Sequence, residues 1–349
     1  MIYMQNRDYD NFGHILNELS PGTALREGLE NVLAAQTGAL IVFGDTDDIK
    51  SMSDGGFFIN EDFLPAKLYE LAKMDGAIIL SENGRRIVYA NTHLNPDSSI
   101  ETSETGIRHR TAERVAKQTG LLVISISQRR DLITLYKDGG KYVLPDVEQL
   151  ISKANQGIQT VEKYRKSFEE SVEMLNGLEL EDLVSLNDVC IVIQHGEMLA
   201  KMGREVKRYI NELGTEGDII NTHLEQLIGD LDDELKNIVK DYSYPNAPET
   251  FDEDYFMDLT EISRRLGYYS EVDVLDAPVF TKGYRLLSRI KRVPDYVIDN
   301  LIDYFEDFHS ILNADMEQLD EVEGVGAVRA RNIIEGLRRI RELYAFIKK

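Results

Sequence analysis

Residues 106–127 read GIRHRTAERVAKQTGLLVISIS, and the way this stretch folds decides the architecture around it. Ala112, Val115, Ala116 and Thr119 recur at the spacing of one helix face, so a helix begins near Ile107 and stops at Gly120. The apolar run GLLVISIS that follows reads as a buried strand. A helix delivered straight into a strand implies a mixed α/β layer. The mouth of the helix has its own chemistry. Helix starts carry unpaired backbone N–H groups and partial positive charge, and Arg108 and Arg110 add two guanidinium groups there. Such a place attracts an anion. Arginines that are merely solvated are the other reading of the same residues.

Outward from this point, short β runs alternate with helical patterns. LREGLENVLAAQTG (25–38) reads as a helix ending in Gly38, ALIVFGD (39–45) as a buried strand, and EDFLPAKLYELAKM (61–74) as a second helix. AIIL, the turn SENGRR and IVYAN follow. After the quoted stretch, QRR leads into DLITLYKDGGKYVL, a hairpin through Asp138, Gly139 and Gly140. The expectation is an α/β amino-terminal domain with a mixed central sheet over residues 1–144. From Pro145 the pattern is helical. Val147, Leu150, Ile151, Ala154, Ile158, Val161, Phe168, Val172 and Leu175 keep helical spacing, implying one long helix or two bent near Gly157. This all-α spine or linker region runs over 145–285, and YPNAPETFDEDYFMD (244–258) reads as a linker inside it. Residues 286–349 are helical again, with a weak echo between IKRVPDYVIDNLIDYF (290–305) and LDEVEGVGAVRARNIIEGL (319–337).

The chain has 349 residues, 42% of them hydrophobic, and a net charge of -23. That length implies more than one domain. An acidic surface repels nucleic acid in bulk, so a DNA contact needs a local basic patch. One is present: from Val322 onward seven basic residues stand against three acidic ones. Within it Gly324 and Gly326 permit a tight turn, Ala330 permits close helix packing, and the N–H groups opening the next helix can hold a phosphate, with Arg329 and Arg331 alongside. A helix hairpin used only for packing shares this pattern. Cys190, the only cysteine, sits in the apolar run VCIVI, so it is expected to be buried and a reducing cytoplasm fits. The chain start lacks the pattern of a secretory signal, and no apolar stretch approaches the ~20 residues of a membrane helix. A soluble, cytoplasmic protein with no membrane association is the expectation. His14, His195, His223 and His309 share no metal-ligand spacing. The G-x-x-x-x-G-K-S/T loop of common ATP hydrolases does not occur.

Asp75 and Gly76 stand just before the strand AIIL, where a carboxylate can serve a metal or simply cap a turn. In order, DGA (75–77), NTHL (91–94), GIRHRTAE (106–113) and a strand ending in SISQRR (125–130) resemble the motif series of the diadenylate cyclase domain. RRLGYYSEVDVLDAPVFTKGYRLL (264–287) is similar to the segment joining the helical spine to tandem helix-hairpin-helix motifs in DNA-integrity scanning diadenylate cyclases. The resemblance covers nearly the whole chain and implies a helix-hairpin-helix DNA-binding domain over 286–349.

It also implies an activity, the condensation of two ATP into cyclic di-AMP with release of two pyrophosphates. Each 3'-hydroxyl attacks the α-phosphate of the opposite nucleotide, so two copies of the chain must face one another. A homo-oligomer, an octamer in the family, follows. By the same resemblance Asp75, Arg108 and Arg110 are catalytic, Asp75 binds Mg or Mn, and Gly76 lets the nucleotide approach the backbone. Leu94 lies against adenine or ribose, while Ile107, Arg108, His109, Arg110 and Thr111 hold the triphosphate. Ser127 recognises adenine, and Arg129 and Arg130 add positive potential. His109 as a general base is a second reading, and His93 is expected to be structural. The resemblance further implies that Gly324, Gly326, Arg329 and Arg331 grip DNA by structure and not by sequence, and the expectation is that branched or junction DNA held there slows the cyclase. One position departs from the family pattern GTRHRT: Ile107 stands where threonine is usual, and a lost hydroxyl contact costs about 0.5–1.5 kcal/mol. A non-catalytic, oligomeric DNA-binding scaffold with a nucleotide-binding domain is the alternative.

Overall fold

A computed structural model describes residues 12–13, 15–244, 247, 258–269, 274–305 and 307–347. Most of the stretch read as a linker lies outside the described residues, as do Lys348 and Lys349. The chain forms two compact units, Met1–Asn155 with Arg208–Asn221, and Gln156–Lys207 with Thr222–Lys349.

The first unit contains α1 (Ala24–Ala34), β1 (Ala39–Phe43), α2 (Asp47–Met52), β2 (Ser53–Asp54), β3 (Phe57–Asp62), α3 (Pro65–Leu71), β4 (Ala77–Leu80) and β5 (Arg86–Leu94). Then come α4 (Ile107–Thr119), β6 (Val123–Ser127), β7 (Leu132–Lys137) and β8 (Gly140–Leu144). The strands form one sheet in the order β2-β5-β4-β1-β6-β7-β8, with β3 paired to β5 off that path. β1 and β4 are parallel, and the pairings of β1 with β6 and of β4 with β5 are antiparallel, so the sheet is mixed. Alternation within β1 explains its place at the centre. Ile41 and Phe43 pack with Leu29, Val32 and Leu68 on the face covered by α1 and α3. Leu40 and Val42 pack with Ile49, Ala112 and Val115 on the face covered by α2 and α4. Neighbouring side chains leave a strand on opposite sides, so a strand between two helical layers reads as one apolar run.

The hairpin between β7 and β8 turns through Asp138 (φ 48°) and Gly139 (φ 78°), the paired positive φ angles of a type I′ turn. Elsewhere the structure corrects the reading. Gly38 does not end α1; that helix stops at Ala34, and Gln36 takes the left-handed conformation at φ 53°. The helix read over 61–74 starts only at Pro65, because residues 61 and 62 close β3. α2, β2 and β3 had no signal: β3 is exposed along nearly its whole length, so its FFINED sequence carries no apolar alternation.

In the spine, α5 (Val147–Glu181) is one helix of 35 residues. Gly157 does not interrupt it. A Cβ there would lie 2.5 Å from Val206 Cγ2, so the glycine lets α5 approach α6 (Leu186–Leu213). Cys190 on α6 is buried, and burial pushes its thiol up to about 12, which makes it inert packing. The second unit continues with α7 (Asp218–Ile228), α8 (Leu231–Tyr242), α9 (Leu259–Arg265), α10 (Tyr284–Ser288), α11 (Asp295–Phe305), α12 (Phe308–Asn313), α13 (Met316–Asp320) and α14 (Ala327–Ile347).

A buried polar network ties several of these helices together. Arg285 of α10 is 1% exposed and donates to Asn176 and Glu179 of α5. Tyr242 donates to the same Glu179 at 2.6 Å. Asp241 of α8 accepts from the backbone N–H of Tyr284 at 2.5 Å and of Arg285 at 3.1 Å. Burial, reinforced by nearby Glu179, pushes the Asp241 carboxyl up to about 7.

Candidate active site and nucleic-acid interface

An open cleft of about 690 Å³ lies in the first unit where β1 and β4 begin and β5 and β6 end. The start of α4 forms one wall. Gly106 caps the helix in an extended conformation without a side-chain hydrogen bond, and the first turn has no acidic residue. Its opening N–H groups are therefore left for a ligand. Arg108 and Thr111, three residues apart, share the cleft face, and Ile107 joins them with 78% exposure. Arg110 is exposed and takes no part in the wall. Two residues along a helix face different ways, so one cleft does not gather both arginines.

The opposite wall comes from the sheet. Gly76, Ala77 and Leu94 line it, with Ser127 and the following Gln128, Arg129 and Arg130 at the end of β6. Gly76 has φ 115°, and a Cβ on it would sit 2.8 Å from the Asn91 carbonyl carbon, so only glycine lets β4 start this close to β5. Asp75 is exposed at the lip, one residue outside the wall. Gly38 has a role that its sequence context hid: a Cβ there would collide with Arg108 Nη1, so the guanidinium packs on the glycine. His93 is exposed in the wall and not a structural residue as its neighbourhood implied. Leu40 and Thr105, which no motif announced, also border the cleft, as does Thr92 of NTHL.

The approach to α4 is pinned from behind. Glu113 accepts from Thr102 Oγ1 at 2.5 Å and from the Ser103 N–H at 3.2 Å, while Arg114 donates to the carbonyl of Ile100 at 2.9 Å. Burial raises the Glu113 pKa, but hydrogen bonds from Lys117 and Thr102 outweigh it and hold the carboxyl below its ordinary range. A rigid loop thus delivers Thr105 and Gly106 to the cleft. Buried Glu104 and Tyr136 form a second group beside His109, and exposed Lys141 donates to Glu104 from its edge.

In the carboxy-terminal region the sequence echo is a structural repeat. Arg292 (φ 67°) and Gly324 (φ 85°) occupy the same left-handed turn position, followed by buried Val293 and Val325. Pro294 and Gly326 then precede α11 and α14. Gly324 is confined, since a Cβ there would lie 3.0 Å from Tyr296 Cε2, whereas Gly326 is exposed with open space around it. Arg329 folds back to donate to the Gly324 carbonyl and lies 6.0 Å from the Tyr296 ring centre, and Arg331 is exposed. Ala330 is fully buried. Next to this repeat, Arg289, Lys291, Arg292 and Arg339 line a cleft of about 720 Å³.

Family comparisons agree with the order of these parts. Residues 26–141 match the model described as the DisA bacterial checkpoint controller nucleotide-binding domain, a diadenylate cyclase domain, and residues 144–275 match the DisA linker region. The DNA integrity scanning protein DisA of Symbiobacterium thermophilum is 50% identical over 97% of this chain and 98% of its own length. That of Carboxydothermus hydrogenoformans is 51% identical over 94% and 96%, and that of Bacillus subtilis 48% identical over 94% and 93%. Among the described residues no helix is long and apolar enough to cross a membrane. With a diadenylate cyclase domain, the linker helices and relatives matched along almost their whole length, the chain belongs to the DisA family of DNA integrity scanning proteins and is a diadenylate cyclase.

Proposed function

We propose that the cleft at the start of α4 holds one ATP and that two copies of the chain, within a homo-oligomer, close the cyclic di-AMP ring between facing clefts. The observation that carries this reading is the helix start without a side-chain cap, with Arg108 and Thr111, opposite Gly76, Leu94 and Ser127 in one cleft. Backbone N–H groups and the Arg108 fork take the triphosphate, where the planar guanidinium matches phosphate oxygens. Leu94 offers an apolar surface to the nucleoside, and Ser127 a hydroxyl to adenine. Arg110, exposed and outside this wall, would serve the phosphates of the facing copy.

Asp75 would hold a divalent cation. Among the described residues no cluster of three or more His, Cys, Asp or Glu could bind a metal alone. A single carboxylate at the lip suits Mg or Mn, which take one or two carboxylates and draw the rest from substrate phosphate and water. When bound, the ion stabilises charge developing on the α-phosphate and lowers the pKa of the attacking hydroxyl.

Incubating the purified chain with ATP and Mg or Mn, followed by chromatography, should yield cyclic di-AMP. ATP binding without product would favour the scaffold. Ile107→Thr restores a hydroxyl at the first position of α4, beside the phosphate. It is expected to lower the apparent KM for ATP by about 2- to 10-fold, since a neutral hydrogen bond contributes about 0.5–1.5 kcal/mol. An unchanged or raised KM would show that this side chain does not face the nucleotide.

The helix repeat is the proposed DNA grip. Gly326 leaves the start of α14 open to a phosphate, Arg331 is exposed beside it, and Arg329 braces the turn. The adjoining cleft with Arg289, Lys291, Arg292 and Arg339 extends the positive surface. Such contacts read backbone and not bases. Branched DNA held there is expected to slow cyclic di-AMP formation relative to a DNA-free reaction. Equal rates with demonstrably bound junctions would remove the coupling.

A further inference from the structure

The cleft of about 720 Å³ beside the helix repeat has two walls. One is the turn 289–292, which leads from α10 into the first hairpin. The other is a single face of α14, where Gly336, Arg339, Ile340, Leu343 and Tyr344 recur at three- and four-residue steps. Gly336 lets the walls meet: a Cβ there would lie 2.6 Å from Ile290 Cγ2, so a larger residue would push α14 off the turn.

The cleft joins two kinds of surface. Lys291, Arg292 and Arg339 are exposed, and among the described residues none of them has an ion-pair partner. Arg289 is already bound to Glu234 at 2.7 Å. Within a chain of net charge -23, three free cations around one opening attract a polyanion. Beside them the wall is apolar. Leu343 is 63% exposed, and the half-buried Tyr344 is anchored by its hydroxyl, which accepts from Asn176 Nδ2. Asn176 is buried and accepts in turn from Arg285, so the network that ties α5 to α10 also fixes this ring. A ring already fixed loses little freedom when a ligand covers it.

A duplex would use only part of this surface. Its phosphates can meet the cations, but the faces of its bases are hidden in the stack. A nucleotide outside a duplex presents a phosphate together with a bare base face, the combination that cations and an apolar or aromatic platform bind. The volume lies within the range of about 300–1,000 Å³ usual for ligand clefts. We propose that this cleft takes an unpaired strand, with phosphates on Lys291, Arg292 and Arg339 and a base on Leu343 and Tyr344. Arg292 stands at the left-handed turn just before α11, so the cleft opens onto the first hairpin and the strand continues from duplex held there. The inference rests on the helix repeat being a DNA grip. It supplies what a backbone grip lacks, a means of telling branched DNA from plain duplex.

The test measures binding of the full-length protein to a blunt duplex and to the same duplex ending in two unpaired oligothymidine arms. The arms should raise affinity by about 10-fold and steepen the dependence of log affinity on log salt by about 2, for three phosphates on single-stranded DNA. Leu343→Ala should reduce the gain from the arms by about 3- to 10-fold and leave blunt-duplex binding and the salt slope unchanged. Arg339→Ala should reduce the slope by about 0.7. Both residues are exposed, and general damage to the fold would not divide the two readouts in this way. In the unaltered protein, 5-iododeoxyuridine placed in an arm should crosslink on irradiation to Tyr344. Equal affinity for blunt and armed duplexes, or crosslinks found only at other residues, overturns the inference and leaves the grip in place. Thymidine monophosphate that displaces an arm as well as oligothymidine does would make this a free-nucleotide site, and hexaglutamate that does so would make it a peptide-docking surface; either overturns the strand. Failure of both DNAs to bind overturns the grip and the inference together, and the blunt duplex separates that case from the others.

Discussion

Replacing Asp75 by asparagine is expected to lower cyclic di-AMP formation by about 100- to 10,000-fold, the range for loss of a group that assists proton transfer from a nucleophile. The argument is local. Asp75 is an exposed carboxylate at the lip of the cleft, next to a position that only glycine can occupy. Asparagine keeps the size and turn preference of the side chain and removes the charge on which a divalent cation depends. Because the residue is outside the core, thermal stability and DNA binding should not change. Turnover within a few-fold of wild type would show that this carboxylate is a turn cap and nothing more.

Replacing Arg285 by alanine is expected to destabilise the second unit by about 3–5 kcal/mol, the cost of leaving a buried charge without its partner. Arg285 is 1% exposed and Glu179 is 3% exposed. Loss of the guanidinium strands Glu179 and the Asn176 carbonyl, and it leaves Asp241 beside a second carboxylate with no cation between them. Denaturation followed by hydrogen exchange should show α5, α8 and α10 losing protection while the sheet of the first unit keeps it. A loss below about 1 kcal/mol would mean that water solvates the network, as at an exposed pair.

What could be read in advance depended on how local each feature is. β1, β4 and β6 are short apolar runs, and α4 has its stripe and its closing Gly120, so the mixed sheet and the helix at the cleft were legible. The same holds for α5, whose stripe persists over the helix. Features made by pairing between distant segments were not legible. β3 is recognisable only through its partner β5, and Gly38 only through Arg108, seventy residues later in the chain, which packs on it. The motif placed Arg108, His109 and Arg110 in one set because they are adjacent in sequence. A helix turns about 100° per residue, so the structure separates Arg108 from Arg110 and gives His109 a buried setting of its own. That setting comes from Tyr136 and Glu104, the first 27 residues from His109 and the second 32 from Tyr136. In the carboxy-terminal repeat the second turn was plain from its glycines. The first was obscured by Arg292, which adopts a left-handed conformation uncommon for a residue with a side chain.

The most direct measurement is a crystal structure of the full chain with 3'-deoxy-ATP, which cannot complete the ring, and Mn, located by its anomalous scattering. The triphosphate should lie at the start of α4 against Arg108, the nucleoside between Leu94 and Ser127, and the metal at Asp75, with the cleft of a second copy facing the first. A nucleotide bound elsewhere, or a filled cleft that faces only solvent, would contradict the account.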